Sequence, residues 1–146
     1  MTSPRNAVLL DVNVLIALSL DTHVHHRAAH RHFSQLSQWS TCSITEGGLL
    51  RALLTEKLTG RTVEGPEALG QLRAIRAVPG WRFLDDSTSL AAPSIDTRVL
   101  AGRRQVTDLQ LLNLAAHHGT RLATFDAAML RVIAPADRDL IEVWED

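Results

Sequence analysis

The sequence predicts an α/β fold, an α/β/α sandwich built on a mainly parallel central sheet of roughly five strands. Three observations predict it. Short apolar runs such as Ala-Val-Leu-Leu (from Ala7) do not alternate with polar residues, which is the pattern of strands buried on both faces. Stretches of helical periodicity separate these runs, so strand and helix take turns along the chain. No linker, low-complexity stretch or repeat breaks the 146 residues, which read as one domain, residues 1–146, large enough to bury a core without staples.

The elements follow in order. Residues 7–10 form the first strand, ended by Asp11, and residues 12–18 a short helix. Asp21 or Thr22 can cap a second helix reaching about residue 36, with Val24, Ala28 and Phe33 facing inward. Residues 39–43 read as a second strand. Thr45 then caps a helix over 46–58 whose Leu49, Leu50, Leu53, Leu54 and Leu58 make one apolar stripe, and Gly60 stops it. Pro66 opens a helix carrying Leu69, Leu72, Ile75 and Ala77, which Pro79-Gly80 ends before a third strand at 81–84. A weaker helical pattern spans 89–100. Thr107 caps a strongly apolar helix over 108–118, closed by Gly119 in the left-handed position. A fourth strand at 121–125, a helical turn at 127–131 and a fifth strand at 141–144 complete the chain.

Composition narrows the class. The chain is 45% hydrophobic and 21% charged, in the ordinary globular range. The single cysteine, Cys42, excludes an internal disulfide framework and suits a reducing cytoplasm, where it reads as a small buried residue. Asp11 and Asn13 interrupt the apolar run over 7–20, which is too short for a membrane span and lacks the flanks of a secretory signal, so a soluble, cytoplasmic protein with no membrane association is expected. With a net charge of −1 the chain is no polycation, and any nucleic-acid affinity must come from a local basic surface. Lys57 is the only lysine; the bias to arginine suits phosphate recognition and equally reflects a genome rich in G and C.

Four carboxylates stand out. Asp11 and Asp126 follow the first and fourth strands with no evident capping motive, and Glu46 and Asp108 lie in the first turns of helices, where acids also complement the helix dipole. None has an ion-pair partner beside it in sequence. In a parallel α/β domain such positions converge on one rim of the sheet. Acids gathered there repel one another unless a hard cation holds them. Oxygen-only ligation points to Mg²⁺ or Mn²⁺, and the lack of a Cys/His ligand pattern argues against zinc. Such ions at carboxylate clusters drive phosphodiester hydrolysis.

The motifs that hold these acids are Leu-Leu-Asp-Val-Asn-Val-Leu-Ile-Ala-Leu (from Leu9), Ile-Thr-Glu-Gly-Gly-Leu-Leu-Arg (from Ile44), Val-Thr-Asp-Leu-Gln-Leu-Leu-Asn-Leu-Ala (from Val106) and Arg-Leu-Ala-Thr-Phe-Asp (from Arg121). In this order and spacing, over nearly the whole chain, they resemble the PIN domain, and within it the VapC toxins of bacterial VapBC toxin–antitoxin pairs. The resemblance implies a Mg²⁺- or Mn²⁺-dependent endoribonuclease that acts on RNA, is usually a homodimer and is neutralised by a small VapB-type antitoxin. It matches Asp11, Glu46, Asp108 and Asp126 to the catalytic metal site. Asn13 stands where many relatives carry a small hydroxyl residue, and Thr107 and Thr124 adjoin two of the acids as supporting or phosphate-contacting groups, or else as a helix cap and a strand-end hydroxyl.

Other groups carry weaker signals. His26 and His30 in His-Val-His-His-Arg-Ala-Ala-His-Arg-His (from His23) share a helix face, but nothing nearby completes a ligand set, and Arg27 and Arg31 would repel a cation; a solvated face is expected. Arg103 and Arg104, just before Asp108, can hold an RNA phosphate, with Arg51 and Lys57 as an extension, though solvated charge explains them too. Trp39, Trp81 and Trp144 fall on or beside strands and read as core, which leaves base stacking without support. Two other classes compete: a PIN-like domain that only binds RNA or a partner, and a phosphoryl-accepting Asp domain. A phosphatase of that last kind wants a second Asp where Asn13 stands, and a receiver wants a late lysine that Lys57 cannot supply.

Overall fold

The computed structural model describes residues 7–146. Among them, β1 (Ala7–Leu10), β2 (Gln38–Cys42), β3 (Trp81–Leu84), β4 (Arg121–Thr124) and β5 (Ile141–Val143) form one sheet in the order β3-β2-β1-β4-β5. Every pairing is parallel; Leu9 lies opposite Ser40 on one side and Leu122 on the other. The helices are α1 (Val12–Ser19), α2 (His26–Phe33), α3 (Ser43–Leu53), α4 (Glu56–Thr59), α5 (Gly65–Arg76) and α6 (Val106–His117).

Both faces of the sheet are covered, as the unbroken apolar strands require. On one face Val8 and Leu10 meet Val14, Leu15, Leu49, Leu53 and Leu72 from α1, α3 and α5. On the other, Leu9 and Leu122 meet Leu109, Leu112 and Met129. Each fully buried leucine of this kind contributes roughly 1.5–3 kcal/mol. Gly48 lets α3 lie close against α1, because a Cβ there would come within 2.6 Å of a Val12 methyl. The chain runs outward from β1 through β2 to β3, then returns to the far side of β1 for β4 and β5. The direction of winding thus reverses between β1 and β4, and open parallel sheets bind ligands at the carboxyl end of such a switch point.

Several elements differ from their sequence reading. The second helix begins at His26, not at a cap on Asp21 or Thr22, because the His23 ring accepts the His25 N–H (3.0 Å) and holds a turn that leaves Val24 82% exposed. The third helix starts at Ser43, so Thr45 lies inside it and bonds back to the Cys42 N–H (3.1 Å); it ends at Leu53, which leaves Leu54 and Leu58 exposed. Residues 89–100 hold only one 3₁₀ turn, Thr97–Val99, since Pro93 cannot donate and the Asn113 side chain takes the Ser94 N–H (2.7 Å). A 3₁₀ turn, Arg103–Gln105, leads into α6, and Thr107 lies in that helix's first turn without capping it. Gly60 and Gly119 do adopt the left-handed conformation that ends their helices (φ 77° and 68°).

The histidines at and within α2 form a clasp, while His30, Arg27 and Arg31 keep the solvated exposure expected of that face. His26 Nδ1 bonds the Ala17 carbonyl (2.7 Å), His30 Nε2 the Leu18 carbonyl (3.1 Å) and His32 Nε2 the Glu145 carbonyl (2.7 Å), while His25 Nδ1 pairs with Asp146 (2.9 Å). Stacking of His25 on Phe125 and of His32 on Trp144 completes a tie between α2, α1 and the segment after β5. Among the described residues no helix is long and apolar enough to cross a membrane.

Candidate active site

Asp11 is the first residue beyond β1, and its N–H still bonds across the sheet to the Ala123 carbonyl (2.9 Å). Its side chain is buried at the switch point. Contrary to the sequence reading, Asp11 does cap: Oδ1 accepts the Val12 N–H (2.8 Å) at the start of α1. Its other oxygen, Oδ2, accepts the Thr124 hydroxyl (2.8 Å) and, at 3.4 Å, the Asn13 amide. Asp126 also caps, taking the Ala128 N–H (3.1 Å) on one oxygen, Oδ1. For Asp11 the capping role is therefore shared with a second demand on the other carboxylate oxygen.

Thr124 and Asn13 lock this corner. The Thr124 hydroxyl oxygen accepts from the Asn13 amide (2.9 Å) and from the Asp126 N–H (3.1 Å) while its proton goes to Asp11. The Asn13 carbonyl oxygen accepts the Phe125 N–H (3.0 Å). One buried hydroxyl thus links the residue after β1 to the residue that follows β4 and Phe125. Asn13 is spent on orienting its neighbours.

Asp108 comes from the first turn of α6 and is half-buried. Burial pushes its carboxyl above the usual aspartate range, and the charges of Asp11 and Asp126 push it further. Asp11 is raised as well, first by burial and also by Asp126, against the lowering effect of its bonds to Thr124 and Val12. Asp11, Asp108 and the exposed Asp126 thus lie near enough to influence one another's charge, beyond the ends of β1 and β4 and at the start of α6. Among the described residues no Arg, Lys or His lies within ion-pair distance of any of the three. The same residues hold no ready-made set of three or more metal-ligating side chains. The donor chemistry nevertheless fits a hard divalent cation: all oxygen, anionic and short of positive charge.

Glu46 is placed differently. It is buried in the first turn of α3, where Oε2 accepts the Thr41 hydroxyl (2.6 Å) and Oε1 lies 3.7 Å from Arg76 Nη1. Trp81 Nε1 donates to the same Thr41 oxygen (2.9 Å). The charges that raise Asp11 and Asp108 do not include Glu46. Thr41 and Arg76 were not singled out in the sequence, although a polar residue inside the short strand β2 was the available signal for Thr41. Thr107, Arg103 and Arg104 are exposed beside the start of α6, with no ion pair on either arginine among the described residues.

Sheet order and rim together define a parallel α/β domain with acids just beyond the carboxyl ends of β1 and β4. The PIN-domain family model matches residues 8–134. Ribonuclease VapC38 of Mycobacterium tuberculosis is 39% identical over 137 residues, 92% of this chain and 96% of that protein. Ribonuclease VapC39 of the same organism is 43% identical over 124 residues, 83% of this chain and 89% of that protein. The chain belongs to the PIN-domain family, in its VapC group. A crystal structure of VapBC2 from Rickettsia felis, bound to a DNA fragment from their promoter, superposes with a TM-score of 0.64 at 14% identity, covering 95% of this chain and 99% of that one; at that identity the likeness is one of fold.

Proposed function

We propose that this chain is a Mg²⁺- or Mn²⁺-dependent endoribonuclease, the toxin of a type II toxin–antitoxin pair, held in check in the cytoplasm by a VapB-type antitoxin and acting as a homodimer. What supports the reading is the charge effect that Asp11, Asp108 and Asp126 exert on one another, with no ion-pair partner for any of the three among the described residues. Relatives named as ribonucleases, matched over most of their length, support the same substrate class.

Asp11, Asp108 and Asp126 would hold the metal, with Glu46 as a further ligand or as the base that orients the attacking water. When bound, a divalent ion supplies an activated water, neutralises the scissile phosphate and stabilises the departing oxygen. The Thr124 hydroxyl and the Asn13 amide keep Asp11 Oδ2 in one orientation, and Arg103 and Arg104 offer phosphate contacts beside α6. Attack of water on phosphorus with loss of the 3′-oxygen leaves a 5′-phosphate and a 3′-hydroxyl, and needs no covalent intermediate.

Purified Asp11→Asn should cleave no RNA at any Mg²⁺ or Mn²⁺ concentration while keeping the circular dichroism of the parent. Undiminished cleavage by that variant would refute the assignment.

A further inference from the structure

Arg76 occupies a position that the acidic site does not account for. It ends α5, and its guanidinium lies over the Trp81 ring at 4.0 Å from the centroid and 5.5 Å from the centroid of Phe83. Trp81 and Phe83 are two apart on β3, an edge strand of the sheet, so they present one face to the arginine. The Trp81 ring is itself pinned through Nε1 to Thr41 (2.9 Å). A cation stacked on rings fixed in this way has little rotamer freedom left to lose.

The stacked guanidinium is only partly spent. Glu46 approaches only to 3.7 Å, and among the described residues the Arg76 side chain donates no hydrogen bond. Its side chain is 40% exposed, and Phe83 below it is 43% exposed. A planar fork of five N–H donors is therefore presented to solvent, already oriented, beside a carboxylate of the candidate site. The 3.7 Å approach of Glu46 engages one edge of the guanidinium and leaves the rest of the fork free.

The setting indicates what it would hold. Arg76 stands over β3, on the opposite side of β1 from β4 and Asp126. Strand β3 is two places from β1, or about 10 Å at the usual interstrand spacing. Arg103 and Arg104 mark the other flank, before α6. Positive groups on both flanks of a negative centre match a strand of phosphates whose middle linkage sits at the acids. We propose that Arg76, held flat on Trp81 and Phe83, is a phosphate-binding residue that grips the single-stranded RNA backbone on the Glu46 flank of the scissile bond. The inference rests on the ribonuclease reading for its substrate and assigns that substrate's path across the sheet rim.

The test is RNA binding measured apart from cleavage. A fluorescent single-stranded RNA oligonucleotide is titrated by anisotropy against the full chain carrying Asp11→Asn, with and without Arg76→Gln or Arg76→Lys, over a range of salt. Loss of one phosphate contact should weaken binding about tenfold in Arg76→Gln and lower the slope of log K against log salt by about 0.7. Arg76→Lys, which keeps the charge and loses the fork, should restore the slope and only part of the affinity. Thermal denaturation of each variant separates loss of a contact from loss of the fold. In the cleaving parent, Arg76→Gln should raise KM much more than it lowers kcat. Unchanged affinity and slope in a folded Arg76→Gln would overturn the proposal and leave the ribonuclease reading standing. A parent that binds RNA through Arg76 but never cleaves it would overturn the ribonuclease reading and keep the site.

Discussion

The acids of the rim fall into two regions with opposite electrostatic treatment. Around Glu46 the protein supplies what a buried carboxylate needs: the Thr41 hydroxyl at 2.6 Å and a guanidinium at 3.7 Å. Around Asp11, Asp108 and Asp126 it supplies neutral donors and further negative charge, and burial raises two of the three. A fold concerned only with its own stability would treat the second region like the first, because unpaired charge taken out of water is costly. The contrast favours the trio as the seat of a cation, while Glu46 already has a protein partner.

The largest expected effect lies in the trio. Beyond the loss of RNA cleavage, Asp11→Asn should remove the rise in melting temperature that Mn²⁺ gives the parent; a full Mn²⁺-dependent rise in that variant would move the metal elsewhere.

Thr124→Val should come next. It removes the donor to Asp11 and the acceptor of both Asn13 and the Asp126 N–H, so metal affinity or turnover should fall about 10–100-fold, as for other groups that orient a ligand. An effect under twofold on both would show that Asp11 needs no such orientation.

On the Glu46 side, Thr41→Val should instead register as stability. Two bonds are lost, one of them fully buried, and leaving Trp81 Nε1 and Glu46 without that partner should cost about 1–3 kcal/mol in chemical denaturation while Mn²⁺ affinity stays near that of the parent. A large loss of affinity would dissolve the distinction between the two regions.

The smallest effect has an unusual sign. Asp108 has a folded pKa above its unfolded value, so its contribution to stability is present below the unfolded value and lost as pH rises through the folded one. Near neutrality and without divalent metal, Asp108→Asn should therefore melt a few degrees above the parent, and the advantage should shrink as pH falls toward the ordinary aspartate value of 3.8. A variant less stable than the parent at neutral pH would mean that the repulsion is compensated.

Much of the fold was legible because strands buried on both faces and helices with one apolar stripe announce themselves by period. The five strands lie within a residue or two of their expected places, and the all-parallel arrangement follows from their alternation with helices. What periodicity could not show were competitions settled by single side chains. Asn113 and Pro93 prevent a helix over 89–100, and the ring of His23 delays α2. The acids themselves were visible as residues after strands and at helix starts. Their division was not, since Arg76 reaches Glu46 from thirty positions away and the Thr124 hydroxyl reaches Asp11 from 113. The bonds of the histidine run were hidden for the same reason: its partners are backbone carbonyls on α1 and beyond β5.

The central claim is that the Asp11, Asp108 and Asp126 trio, and not Glu46 alone, creates the metal site. Isothermal titration of Mn²⁺ into the parent, Asp11→Asn and Glu46→Gln tests it most directly. The account predicts saturable binding to the parent, none to Asp11→Asn, and weakened but measurable binding to Glu46→Gln. Binding that survives Asp11→Asn and vanishes in Glu46→Gln would contradict it.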